Sequence, residues 1–249
     1  MIKFFRKIRQ KTLTENKFGK YMTYAIGEIV LVVIGILIAL QVNNWNEQRK
    51  LNNETDKFTQ VLNSEFSDNR IVLKERIKDL DQANNYVKTV LSFMNKDNIA
   101  IQKTNIDSII SKSLKYGNYN PANSTIRELI SSGKLNLITD DSLKKNLFNW
   151  LQLLEDSDED FKNQDQQATT LLIPYLYKNI SMQNLNAYNN MGIQKNSELF
   201  NRDYNQVFHD IQFENLYQGK LFWNTIMLNH YKELDTLALK IINQTEKKK

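Results

Sequence analysis

The chain has 249 residues with a net charge of +5, no cysteine and two histidines. Those counts exclude thiol nucleophiles, cysteine-held zinc and iron–sulfur clusters. The charge suggests nucleic acid only until it is located. Residues 1–20 hold Lys3, Arg6, Lys7, Arg9, Lys11, Lys17 and Lys20 against Glu15 alone, so the rest of the chain carries a net −1. Nucleic-acid binding is therefore not expected.

Residues 1–20 read as a basic cytoplasmic tail, with Phe4, Phe5, Ile8 and Leu13 among the cations. Such a tail serves as a topology signal or lies on anionic headgroups. Residues 21–45 read as a transmembrane helix. Ile29–Leu40 has no polar side chain, and the extension to Tyr21 and Val42 reaches the roughly 20 residues a bilayer crossing requires. A buried core helix would show a polar stripe, and a cleaved signal would exit through small residues rather than Ala39-Leu40-Gln41-Val42-Asn43. Tyr21 and Tyr24 at one end and Trp45 at the other form an interfacial aromatic belt. The Tyr24 and Trp45 positions lie roughly 31 Å apart along a helix. The twenty residues after Trp45 carry only Arg49, Lys50 and Lys57 as bases. The positive-inside rule then puts the N-terminus in the cytoplasm and residues 46–249 in the periplasm, outside the bacterial inner membrane. The absence of cysteine agrees with an oxidising compartment.

Within this span, Gly27, Leu31, Gly35 and Ala39 recur at four-residue steps, and Gly35-x-x-x-Ala39 is a small-xxx-small pattern that admits a second helix. The expected partners are the lipid bilayer and either further copies of the chain or other membrane proteins. Glu28 lies about one turn inside the apolar segment. A carboxyl there must be paired, be protonated, face a cavity, or reach the cytoplasmic headgroups toward Lys20.

The run from Lys20 through Tyr24-Ala-Ile-Gly-Glu-Ile, Leu31-Val-Val, Gly35-Ile-Leu-Ile-Ala-Leu-Gln41 and Asn43-Asn-Trp-Asn-Glu47 to Arg49-Lys50 resembles the opening of an uncharacterised bacterial family, a domain of unknown function. The stretch Ser131-Ser-Gly-Lys-Leu-Asn-Leu-Ile138 is similar to that family's interior. The resemblance implies a single-pass membrane protein with a helical body, and it brings no activity.

The remainder reads as all-α. Seven glycines and two prolines leave few turns to bound short strands. Leu51, Phe58, Leu62, Phe66, Leu73, Ile77, Leu80, Val87, Leu91 and Met94 follow helical spacing, giving one amphipathic helix of more than 40 residues, open to continuity with the span. Lys96–Thr104 breaks it. Short helices are expected over Ile106–Tyr116 and Ser124–Ser132, separated by a turn at Gly117–Pro121. Asp140-Asp141-Ser142 caps a long helix that Pro174 should kink or interrupt. Ser181–Asn196 reads as a loop, and a last helix runs from about Phe213 to Ile242. An antiparallel bundle buries these stripes most simply.

No catalytic or metal-binding residue is expected, and no cofactor. His209 and His230 lack metal-ligand spacing. Asp156, Asp158 and Asp160 are spaced like the start of a calcium loop, but Phe161 and Gln167 stand where its glycine and closing glutamate belong. The aromatics Tyr116, Tyr119, Trp150, Tyr175, Tyr177, Tyr204, Phe222 and Trp223 line either a groove or, by default at helical spacing, a core. The functional expectation is a non-enzymatic, membrane-anchored interaction or scaffold protein of the cell envelope. The alternative is a single-pass component of a proton-driven envelope complex that uses Glu28.

Overall fold

The computed structural model describes residues 18–96, 105–189, 191–193 and 204–246. The basic tail before Phe18, the side chain of Tyr21 and residues 97–104 of the first expected break lie outside the described residues, whereas the expected loop Ser181–Asn196 opens with a short helix, Met182–Asn186, capped by the Ser181 hydroxyl. All regular elements among the described residues are helical. By contact the chain divides into two compact units, Met1–Lys57 and Phe58–Lys249.

The expected span and the amphipathic helix after it are one element, α1, Phe18–Leu91. No Gly or Pro occurs between Gly35 and Gly117, so nothing in the backbone chemistry stops the helix before its apolar pattern ends. Local pairs support the polar segment after the span. The Arg49 guanidinium lies over the Trp45 ring, Lys50 pairs with Glu47 at 3.0 Å, and Gln48 donates to Asn52 at 3.0 Å. After Leu91 the chain turns through Asn95, whose φ of 57° places it in the left-handed region that Asn tolerates better than most residues. Its amide donates to the carbonyl of Phe208 at 3.2 Å.

In the second unit α2, Ile106–Ser113, is shorter than expected, and α3, Ser124–Ser131, is close to expectation. Gly133, at φ 70°, then turns the chain into a short 3₁₀ turn, Lys134–Leu137. That left-handed glycine is the physical content of the Ser131–Ile138 stretch. The long helix α4, Asp141–Gln167, starts where the sequence puts it. Asp140 accepts from the amides of Ser142 and Leu143 at 2.8 and 3.1 Å.

The interruption expected at Pro174 takes the form of a π-helical segment rather than a break in the path. A π-helical segment, Ala168–Leu172, precedes α5, Ile173–Asn179, and Pro174 falls in the first turn of α5. The amide of Ile173 donates five residues back to Ala168, so the widened turn absorbs the missing donor of the proline within a continuous helix. Two short helices follow, α6 (Met182–Asn186) and α7 (Tyr204–Phe208), then α8, Ile211–Thr245. Asp210 caps α8 by accepting from Gln212 at 2.8 Å, two residues before the expected start.

The helices enclose two apolar clusters. One joins Leu62, Phe66, Leu73 and Leu80 of α1 to Leu147 and Trp150 of α4 and to Met227, Tyr231, Leu234 and Ile241 of α8. Trp150 is fully buried, meets the Phe66 ring edge-on at 4.9 Å, and donates its indole N–H to Asn123 at 2.9 Å. The other joins Val87 and Val90 of α1 to Ile110, Leu176, Phe208, Phe213 and Tyr217. Each large apolar side chain so buried contributes roughly 1.5–3 kcal/mol. Asn63 bonds Ile242 and Thr245, and Arg70 pairs with Asp235 at 2.7 Å. As α1 ascends, its partners on α8 descend, so the two run in opposite directions.

Candidate functional site

The sequence-derived site residues lie in the first unit on one helix, where their angular positions are fixed. With Gly27 as origin, Leu31 lies at about 40°, Gly35 at 80°, Glu28 at 100° and Ala39 at 120° around the axis. Glu28 therefore shares a face with Gly35 and Ala39 on this helix. The side chains of Ile29–Leu40 are all exposed, as are Tyr24 and Trp45. A Cβ added at Gly27 or Gly35 meets nothing within 4 Å. Among the described residues one helix is long and apolar enough to cross a membrane, and none of its apolar window is buried.

The second unit holds polar groups that the sequence reading passed over. Along α1, Asn84 falls between the two apolar clusters, and along α8 so do Lys220 and Asn224. Asn84, Lys220 and Asn224 are all buried, and so is Gln164 of α4. Gln164 donates to Asn224 Oδ1 at 2.7 Å, but Asn84 Oδ1 and Asn224 Nδ2 find no hydrogen-bond partner among the described residues. Gln167 donates to the carbonyl of Leu216 at 3.2 Å. Gly219 permits this reach, since a Cβ there would stand 3.2 Å from Gln167 Nε2. A signal was present in the sequence. Lys220 and Asn224 continue the spacing of Phe213, Leu216 and Tyr217 toward Met227 and Tyr231, so helical periodicity assigns both polar residues to the core.

Lys220 is 2% exposed, and its ammonium lies 5.0 Å from the centroid of the Tyr116 ring. Burial lowers its pKa to about 8. The Tyr116 hydroxyl donates to Asp165 at 2.8 Å. Burial, then that hydrogen bond and the carboxylate charge, push the phenol up to about 12. Tyr116 also bounds a cavity of about 150 Å³ together with Arg76, Asp79, Lys115, Gly117 and Tyr231. The surrounding loop is held by α1. Asn69 exchanges two hydrogen bonds with Ala122 at 2.7 and 2.9 Å, and Tyr119 donates to the Asn69 carbonyl. Tyr231 donates to the Gly117 carbonyl at 2.9 Å. Burial raises the Tyr231 pKa to about 12, partly offset by the nearby Arg76 charge. A larger open groove of about 550 Å³ between α4 and α8 mixes Lys232, Glu233 and Lys240 with amides and brings no convergent set of groups together.

The remaining sequence candidates are engaged structurally. Asp156 accepts from Gln152, Asp158 from Asn118 and Lys162, and Asp160 lies 2.8 Å from His230 Nε2, so the three acids face different partners. His209 Nδ1 lies 2.8 Å from the carbonyl of Asn205. Of the aromatics, Trp150, Tyr119 and Tyr175 are core residues, whereas Tyr177 and Phe222 are exposed.

A model of a family of unknown function, DUF6090, matches residues 28–156, from Glu28 in α1 to Asp156 in α4. No curated protein and no solved structure matches the chain.

Proposed function

The chain belongs to the DUF6090 family of unknown function, and on that premise we propose that it is a non-enzymatic, membrane-anchored interaction or scaffold protein of the bacterial cell envelope. The observation that carries this reading is that every residue of Ile29–Leu40 is exposed on an unbroken helix. Eleven apolar side chains within twelve consecutive residues are a large exposed patch in water, and hydrocarbon is the solvent that suits them. The basic excess before the span supports a cytoplasmic N-terminus and a periplasmic body, arranged as an antiparallel helical bundle. Self-association runs through the face of Gly35 and Ala39. The four-residue stripe winds around the helix, so a partner following it crosses at about −40°.

Chemical crosslinking in cells, followed by sizing in mild detergent, tests this. A monomer in detergent with nothing captured in cells would sink the reading.

Glu28 supports a second reading, because the helix places it on the small-residue face. There a partner helix would shield it from water, and a shielded carboxyl can hold and release a proton within a proton-driven complex. Glu28→Gln separates the two readings. Unchanged behaviour under a proton-motive load leaves the carboxyl a packing or anchoring role, and loss of function with assembly retained assigns it the proton.

A further inference from the structure

We propose that the cavity between Arg76, Lys115, Tyr116, Gly117 and Tyr231 binds a small oxyanion, a phosphate or carboxylate group. Two cations line the cavity against one acid, Asp79. Among the described residues neither Arg76 nor Lys115 forms an ion pair, although Asp79 lies three residues from Arg76 on the same helix, a spacing that commonly pairs. The guanidinium instead approaches the loop. Its Nη1 lies 3.7 Å from where a Cβ on Gly117 would stand, so the absent side chain leaves the space beside it open. The volume of about 150 Å³ is roughly the share of five water molecules, enough for an ion of about five heavy atoms. A planar guanidinium fork and a mobile ammonium are the donor types that grip such an ion.

A third cation, not itself part of the lining, lies against the Tyr116 ring. Tyr116 is fixed by Asp165, and the buried ammonium of Lys220 sits over its ring. Asp165 is engaged by the Tyr116 hydroxyl, and no carboxylate lies within ion-pair distance of Lys220 among the described residues. An uncompensated charge in such a place is costly. It becomes favourable when an anion enters the neighbouring cavity, because the low dielectric around Lys220 leaves its field poorly screened. Arg76 and Lys115 reach the cavity from the solvent side, and Tyr231 forms its inner wall and fixes the loop by donating to the Gly117 carbonyl.

Equilibrium dialysis of the purified full-length protein in detergent micelles against labelled inorganic phosphate, at fixed ionic strength, tests this. The expected result is one saturable site per chain. It should be weakened at least about tenfold by Arg76→Gln and by Lys115→Gln, and unchanged by Lys78→Gln, which alters an exposed lysine outside the cavity. Unfolding midpoints should match the parent chain throughout. Acetate that displaces phosphate at equal ionic strength supports a general oxyanion site, and acetate without effect supports a phosphate-selective one. Absence of saturable binding, or equal weakening by Lys78→Gln, overturns the proposal.

Discussion

Glu65 on α1 caps α3 through Thr125, accepting from both its amide, at 3.2 Å, and its hydroxyl, at 2.8 Å. The same carboxylate oxygen takes the Ser124 hydroxyl at 2.7 Å. Asn123, at the N-cap position, makes no side-chain cap because its Oδ1 receives the Trp150 indole. A residue nearly sixty positions away thus performs the local task, and it ties α3 to α1. Glu65→Ala should lower the stability of the full chain by about 2 kcal/mol in denaturant unfolding, with Glu65→Gln milder because its carbonyl still accepts. An unchanged midpoint for the alanine variant would show that the cap contributes nothing.

Lys220 carries the opposite expectation. Its folded pKa of about 8 lies below the ordinary 10.5, so the unfolded chain holds more protons between those values and stability rises with pH across that window. Lys220→Met keeps the stem and removes the charge. It should stabilise the protein by about 2–3 kcal/mol at pH 7 and flatten the rise between pH 8 and 10.5. Thermal unfolding across that range reads both effects.

The tyrosines set the alkaline limit. Tyr116 and Tyr231 titrate at about 12 instead of 10.0, so the folded state keeps phenolic protons that the unfolded chain releases. Their stabilisation is complete below pH 10 and is lost as pH rises toward 12. Ultraviolet titration should show these phenols ionising later than the exposed ones, with unfolding following. Ionisation of every tyrosine near 10 in a still-folded protein would refute the assignment.

The chain has no native cysteine, which makes single-cysteine mapping of the span clean. Ala39→Cys lies on the small-residue face, and Leu37→Cys lies about 160° away around the helix. If the span self-associates as proposed, oxidation in membranes should yield dimer for Ala39→Cys and little for Leu37→Cys. Equal yields from both positions would point to random collision.

The helices were legible because their signals are local. The apolar run, the Asp140 cap and the spacing from Leu51 to Leu91 each lie within a few turns of the structure they specify. The Glu65 cap and the buried set of Asn84, Gln164, Lys220 and Asn224 were not legible, because each depends on contacts between residues far apart in sequence. Lys220 illustrates the difficulty. Its position in the apolar spacing marks it as buried, but a lysine at such a position more often snorkels to solvent. Only the packing of α8 against the Tyr116 loop shows that this one does not. The cavity was hidden for the same reason, since Arg76, Lys115 and Tyr231 meet only in the folded chain.

The π-segment at Ala168–Leu172 makes the chain sensitive to length rather than to composition at that point. The wide turn already holds one residue more than an ordinary α-turn, so a further residue inserted there would rotate everything downstream by about 100°. Tyr175 and Leu176, which face the cluster around Phe213, would swing toward solvent. The segment should therefore accept many substitutions of similar size and polarity while rejecting a single-residue insertion. An insertion scan across residues 166–174 would find an intolerance there that a substitution scan misses.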